Sequence, residues 1–112
     1  MCIRDSNYAL RPEYVESLFV LFRVTGDAVY RERGWAVFQN LLNHCRQPNG
    51  GFAGVADVFA DPPKNDDEQP SFFIAETLKY LFLLFSPPDH YSLDDWIFSC
   101  FVVLKRATCA SL

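Results

Sequence analysis

One stretch constrains the fold more than any other: Leu10-Arg11-Pro12-Glu13-Tyr14-Val15-Glu16-Ser17, a helix start with charges gathered at its mouth. Pro12 suits a first helical position, where a missing N–H costs nothing and the ring pre-sets φ. Apolar residues then recur at Val15, Leu18, Phe19 and Phe22, the i, i+3, i+4, i+7 stripe of a packed helix. The stripe predicts a helix from Pro12 to Thr25. Gly26 fits the left-handed residue that stops a helix, and Asp27 fits the N-cap of the next. Thr25-Gly26-Asp27 therefore reads as a tight connection between antiparallel helices. Glu13 and Glu16 are three apart and share a face, and Glu13 lies in the first turn, where the helix dipole favours a carboxylate. Taken alone, this is an acidic first turn beside a solvated arginine, Arg11.

The second helix is expected from Ala28 to Cys45, with Phe38, Leu41, Leu42 and Cys45 on its apolar stripe and Trp35 extending it. Arg31, Glu32 and Arg33 read as a solvated face, and His44 as helix-end decoration rather than a ligand. Gln47-Pro48-Asn49-Gly50-Gly51 is a strong turn signal. Phe52 to Val58 suits a short extended piece or hairpin arm, and Ala60 to Pro70 is a loop. Its Asp66-Asp67-Glu68 run lacks the Asp-x-Asp-x-Asp-Gly spacing of a calcium loop and reads as a solvated acidic segment. A third helix should begin at Ser71 as N-cap and end at Ser86-Pro87-Pro88-Asp89. It carries Leu78, Leu81, Phe82 and Phe85 on one stripe and Phe73, Tyr80 and Leu84 on another, so it should be buried on most sides. Glu76 is then the odd residue. A lone buried carboxylate costs several kcal/mol unless paired or coordinated, which points it into a polar cavity or toward a partner such as Arg11.

A chain of 112 residues, half of them hydrophobic and 11 of them Phe, allows one small domain with a core. The net charge of −4 argues against a nucleic-acid partner. No run reaches the roughly 18 apolar residues of a membrane span, and Met1-Cys2-Ile3-Arg4-Asp5-Ser6 has no apolar core of signal-peptide length. The four cysteines, at 2, 45, 100 and 109, show no C-x-x-C spacing. Cys45 reads as a small hydrophobe on a helix.

Two motifs in register carry a resemblance. Leu10-Arg11-Pro12-Glu13-x-x-Glu16-Ser17 resembles a signature of glycoside hydrolase family 47, the class I α-1,2-mannosidases. Ser71-Phe72-Phe73-Ile74-Ala75-Glu76-Thr77-Leu78-Lys79-Tyr80-Leu81-Phe82-Leu83-Leu84-Phe85 is similar to the family's segment near its carboxyl end, and Thr25-Gly26-Asp27, Tyr30 and Gly34-Trp35 fall between them in the family's order. The resemblance covers about residues 8–98, and implies the last part of a much longer catalytic domain. Residues 1–7 then read as a non-family leader of artefactual origin, and residues 99–112 as a divergent tail.

The resemblance implies an all-α fold: the closing helical hairpins of an incomplete α/α barrel, with a short hairpin or loop insertion. It implies hydrolysis of terminal α-1,2-linked mannose from high-mannose N-glycans, with inversion and with calcium. It also implies the secretory pathway, endoplasmic reticulum or Golgi, with a parent that in many members is membrane-anchored upstream. Residue by residue, Glu13 matches a candidate general base, and Arg11 an arginine that contacts substrate or orients carboxylates. Glu16 and Glu76 match cavity acids that bind substrate hydroxyls or hold calcium through water, and Phe72 an aromatic that packs on the terminal sugar. One departure stands out. After Ser92-Leu93-Asp94-Asp95-Trp96-Ile97-Phe98-Ser99 the family continues Thr-Glu-Ala-His-Pro, whereas this chain reads Cys100-Phe101-Val102-Val103-Leu104-Lys105-Arg106, as a frameshift or read-through would. The threonine that binds calcium directly is missing, and the general acid has no counterpart in the chain. The expected outcome is a mannosidase segment that is itself inactive. The rival expectations are a non-hydrolytic mannose-binding relative in glycoprotein quality control, and a helical-hairpin interaction module whose Glu13, Glu16 and Glu76 do not converge.

Overall fold

Pro12 opens the first helix as its cap rather than as its first residue. Its backbone sits near helical angles (φ −87°, ψ −20°), and its carbonyl accepts the Glu16 N–H at 2.9 Å. Helix α1 then runs Glu13–Thr25. The structure, a computed structural model, describes residues 6–99 and 103–105. The expected stripe of Val15, Leu18, Phe19 and Phe22 is the buried one. Gly26 ends α1 at φ 72°, with its N–H returning to the Phe22 carbonyl, a conformation that an L side chain adopts only at a cost. Ala28, not the expected Asp27, is the cap residue of the next helix, although Asp27 Oδ1 accepts the Val29 N–H at 2.9 Å.

Helix α2 is Val29–Asn40, continued by a π-helical stretch, Leu41–Cys45, that ends with the Arg46 N–H on the Leu41 carbonyl. Of the expected stripe, Leu41 and Cys45 are buried and Phe38 packs against the core, whereas Leu42 and Trp35 face outward. Trp35 is 51% exposed and stacks on Phe38 and Phe85 at the surface, while Gly34 is buried. A Cβ at Gly34 would lie 2.3 Å from Leu84 Cδ2, so the glycine sets how closely α2 approaches the third helix.

The third helical segment begins with a π-helical stretch, Phe73–Leu78, and continues as α3, Lys79–Phe85. Phe72 occupies the cap position without a side-chain cap, so Ser71 is not the N-cap expected of it. The i→i+5 turns widen the helix and rotate later residues away from a strict 3.6 period. Phe73, Thr77, Tyr80, Leu81, Leu83 and Leu84 are buried, whereas Ile74 and Phe82 are each 63% exposed. One of the two expected stripes is therefore split: Leu81 is buried and Leu78 packs on the core, whereas Phe82 and Phe85 face outward. Arg31, expected on a solvated face, instead clamps the end of α3. Its Nε and Nη2 donate to the carbonyls of Leu84 and Ser86, each at 2.8 Å, and its guanidinium lies over Phe22. Arg23 adds donors to the carbonyls of Leu83, Pro88 and His90. Two cations thus satisfy the free carbonyls where the α3 dipole is negative.

Strand β1 (Val55–Asp57) pairs antiparallel with β2 (Lys64–Asn65), and Val55 also bridges to Tyr8. β2 falls in the segment expected to be loop. β3 (Trp96–Phe98) pairs antiparallel with β4 (Val103–Lys105), at the carboxyl end, where the family resemblance implies a β-hairpin. Phe98 of β3 packs edge-on against Phe19. The fold is otherwise all-α, with one core built from α1, the end of α2 and the third helical segment. Cys45 is buried in that core, while Cys2, Cys100 and Cys109 lie outside the described residues, as does most of the expected leader and tail.

Candidate active site

The two motifs, some sixty residues apart in sequence, lie against one another. Leu10 is fully buried and holds φ 58°, a left-handed conformation that costs a non-glycine residue roughly 1–3 kcal/mol and gathers at functional sites. Its carbonyl accepts the hydroxyl of Thr77, also fully buried, at 2.7 Å. Six residues after Leu10, Glu16 is half-buried, and its Oε1 accepts the Tyr80 hydroxyl at 2.9 Å. The segment Arg11–Glu13 runs between these two ties.

Glu13 is exposed in the first turn of α1, and its carbonyl accepts the Ser17 hydroxyl. Arg11 is exposed too and lines an open pocket of about 450 Å³ with Tyr8, Tyr14, Asn40, His44 and Cys45. Glu16, Glu76 and Phe72 do not line that pocket. Glu76 and Phe72 are half-buried on the third helical segment. Glu76 neighbours Thr77 within the π-helical stretch, a geometry rare elsewhere and frequent at functional sites. No ion pair joins Arg11 to Glu76 among the described residues. Half-burial leaves Glu76 enough water that the partner demanded of a fully buried carboxylate is not needed.

Beside the pocket, burial above all pushes the Tyr8 hydroxyl up to about 12, with the charges of Cys45 and Glu13 adding to the shift. Burial first, then Asp66, pushes the Cys45 thiol up to about 11. Both groups stay protonated at neutral pH and are no nucleophiles there. Sequence reasoning missed Thr77 and Tyr80 as partners of the first motif. Their i, i+3 spacing on one helix face was visible, but which face met Leu10 and Glu16 depended on the π-helical turns, which leave no periodic signature.

Calcium is the ion that the resemblance implies. Among the described residues no three His, Cys, Asp or Glu side chains converge on a metal-sized site, and one oxygen of Glu16 is taken up by Tyr80. These residues do not by themselves fit the ion.

The sequence model of glycosyl hydrolase family 47 matches residues 1–100. Human mannosyl-oligosaccharide 1,2-alpha-mannosidase IC is 50% identical over 97 residues, 87% of this chain and 15% of the relative. Human endoplasmic reticulum mannosyl-oligosaccharide 1,2-alpha-mannosidase is 49% identical over 98 residues, 85% of this chain and 14% of the relative. Such near-equal identities do not separate the subtypes. Among solved structures, an alpha-1,2-mannosidase from Trichoderma reesei superposes with a TM-score of 0.80 at 27% identity, over 89% of this chain and 22% of that one. The helical hairpins are those of its α/α barrel. The chain spans about 15% of the length of the curated relatives it matches.

Proposed function

Because this chain belongs to glycosyl hydrolase family 47, we propose that it supplies one wall of an α-1,2-mannosidase site, with Arg11, Glu13, Glu16, Phe72 and Glu76 as its working residues. The observation that supports this most is the direct tie between the two motifs, Thr77 to Leu10 and Tyr80 to Glu16. It ties the segment bearing Glu13 to the segment bearing Glu76.

In the proposed reaction Glu13, exposed in the first turn of α1, takes the proton of an attacking water. An acid from elsewhere in the complete barrel protonates the leaving oxygen. Inversion requires the two groups to stand roughly 6.5–9.5 Å apart, leaving room for the water. Arg11 orients substrate or carboxylate, Phe72 packs on the terminal mannose, and Glu16 and Glu76 accept its hydroxyls. Calcium, as a hard ion that binds sugar hydroxyls, water and protein oxygens, belongs to the complete barrel, and no step here is routed through it. The substrate would be a high-mannose N-glycan met in the endoplasmic reticulum or Golgi. No helix among the described residues is long and apolar enough to cross a membrane.

The purified 112-residue chain should release no mannose from an α-1,2-mannobiose, with or without calcium, since it lacks an acid partner. Residues 8–98 grafted in place of the matching stretch of human mannosyl-oligosaccharide 1,2-alpha-mannosidase IC should restore release, with β-mannose as the first product seen by NMR. Release by the chain alone, or a folded chimera that never turns over, would overturn the proposal.

A further inference from the structure

We infer that Thr77 and Tyr80 are positioning residues for the mannosidase site, which deepens the function proposed above and rests on it. Neither side chain is among the residues assigned a role there. Thr77 is fully buried, so its hydroxyl must find a partner inside; the partner is the Leu10 carbonyl at 2.7 Å. Leu10 holds a left-handed φ of 58°, a state that persists only where surroundings over-determine it. The Thr77 hydrogen bond and full burial of the leucine side chain are the surroundings that do so. That backbone state fixes the direction in which the chain leaves Leu10 for Arg11, Pro12 and Glu13.

Tyr80 acts on the other end of the same segment. The residue is 1% exposed, its ring packs on Phe19, and the Lys79 ammonium lies over its face, so its hydroxyl has little freedom. The hydroxyl donates to Glu16 Oε1 at 2.9 Å and leaves the second carboxylate oxygen for substrate. Thr77 follows Glu76 directly, so the residue that sets Leu10 also sets the distance between Glu76 and the first motif. The two ties bracket Arg11–Glu13, one by its backbone and one by the carboxylate that ends the first turn.

The test uses the chimera with the human relative. Thr77→Val keeps the shape and removes the donor, Thr77→Ser keeps the donor, and Tyr80→Phe removes only the hydroxyl. Misplacement of a catalytic group by about 1 Å costs up to about a hundredfold in rate, so Thr77→Val and Tyr80→Phe should each lower kcat by roughly tenfold or more. KM should change little, and Thr77→Ser should recover most of the loss. Melting curves identify the folded fraction, to which kcat is normalised. If Thr77→Val does not fold, Tyr80→Phe and Thr77→Ser decide. Parental kcat in Tyr80→Phe, or a loss in Thr77→Ser as deep as that in a folded Thr77→Val, overturns the inference. An inactive parent chimera contradicts the proposed function instead, so the two failures are distinct.

Discussion

Two residues show how much a single side chain decides in this chain. Arg31 looked like one of three charges on a wet face, yet it holds two carbonyls at the end of α3 and covers Phe22. A sequence displays charge and spacing but not where a neighbouring helix ends, so that role was illegible. Hydrogen bonds from charged groups contribute about 1.5–3 kcal/mol each when buried; with Arg31 half-buried, Arg31→Met should destabilise the fold by about 2 kcal/mol in urea unfolding. Cys45, by contrast, was legible as a small core hydrophobe. Its thiol is raised from 9.0 to about 11 by burial, so the folded state favours the protonated form. The stability this contributes is fully present below pH 9 and is lost as pH climbs through 11. Alkylation of Cys45 by iodoacetamide, read by mass spectrometry, should therefore accelerate at a pH about two units higher in folded than in urea-unfolded chain.

Among the elements, α1 and its stop were written in the sequence almost to the residue, because Pro12, the apolar stripe and Gly26 each act locally. The third helical segment was not. Phe82, expected on a buried stripe, faces outward beside its π-helical turns, and Thr77, on neither stripe, is fully buried; a local apolar pattern does not display such turns. The short pair β1–β2 was half visible in Phe52–Val58; Lys64–Asn65 has no strand-like pattern to betray it. The close crossing of α2 and α3 depends on Gly34. Leu84, the atom neighbour that a new Cβ would strike, is fully buried and cannot swing aside. Gly34→Ala should thus cost about 1–3 kcal/mol as overpacking, and a variant as stable as the parent would show that the helices separate freely.

At the scale of the whole molecule, the family, the all-α class and the site residues could be put forward from two motifs, whereas the ties between the motifs could not. Several large apolar side chains stay on the outside, with Val24 73%, Ile74 63%, Phe82 63% and Trp35 51% exposed. Apolar surface of this kind drives association, so the isolated chain should sediment as associated species, and a monodisperse monomer would speak against that expectation. The account turns on the first motif supplying a catalytic base. The direct measurement is mannose release by the chimera carrying Glu13→Gln, beside binding of an uncleaved mannose oligosaccharide. A general base contributes roughly 10²–10⁴-fold; the predicted result is a kcat lowered by that much with binding retained. A Glu13→Gln chimera that turns over at the parental rate would contradict the account at its centre.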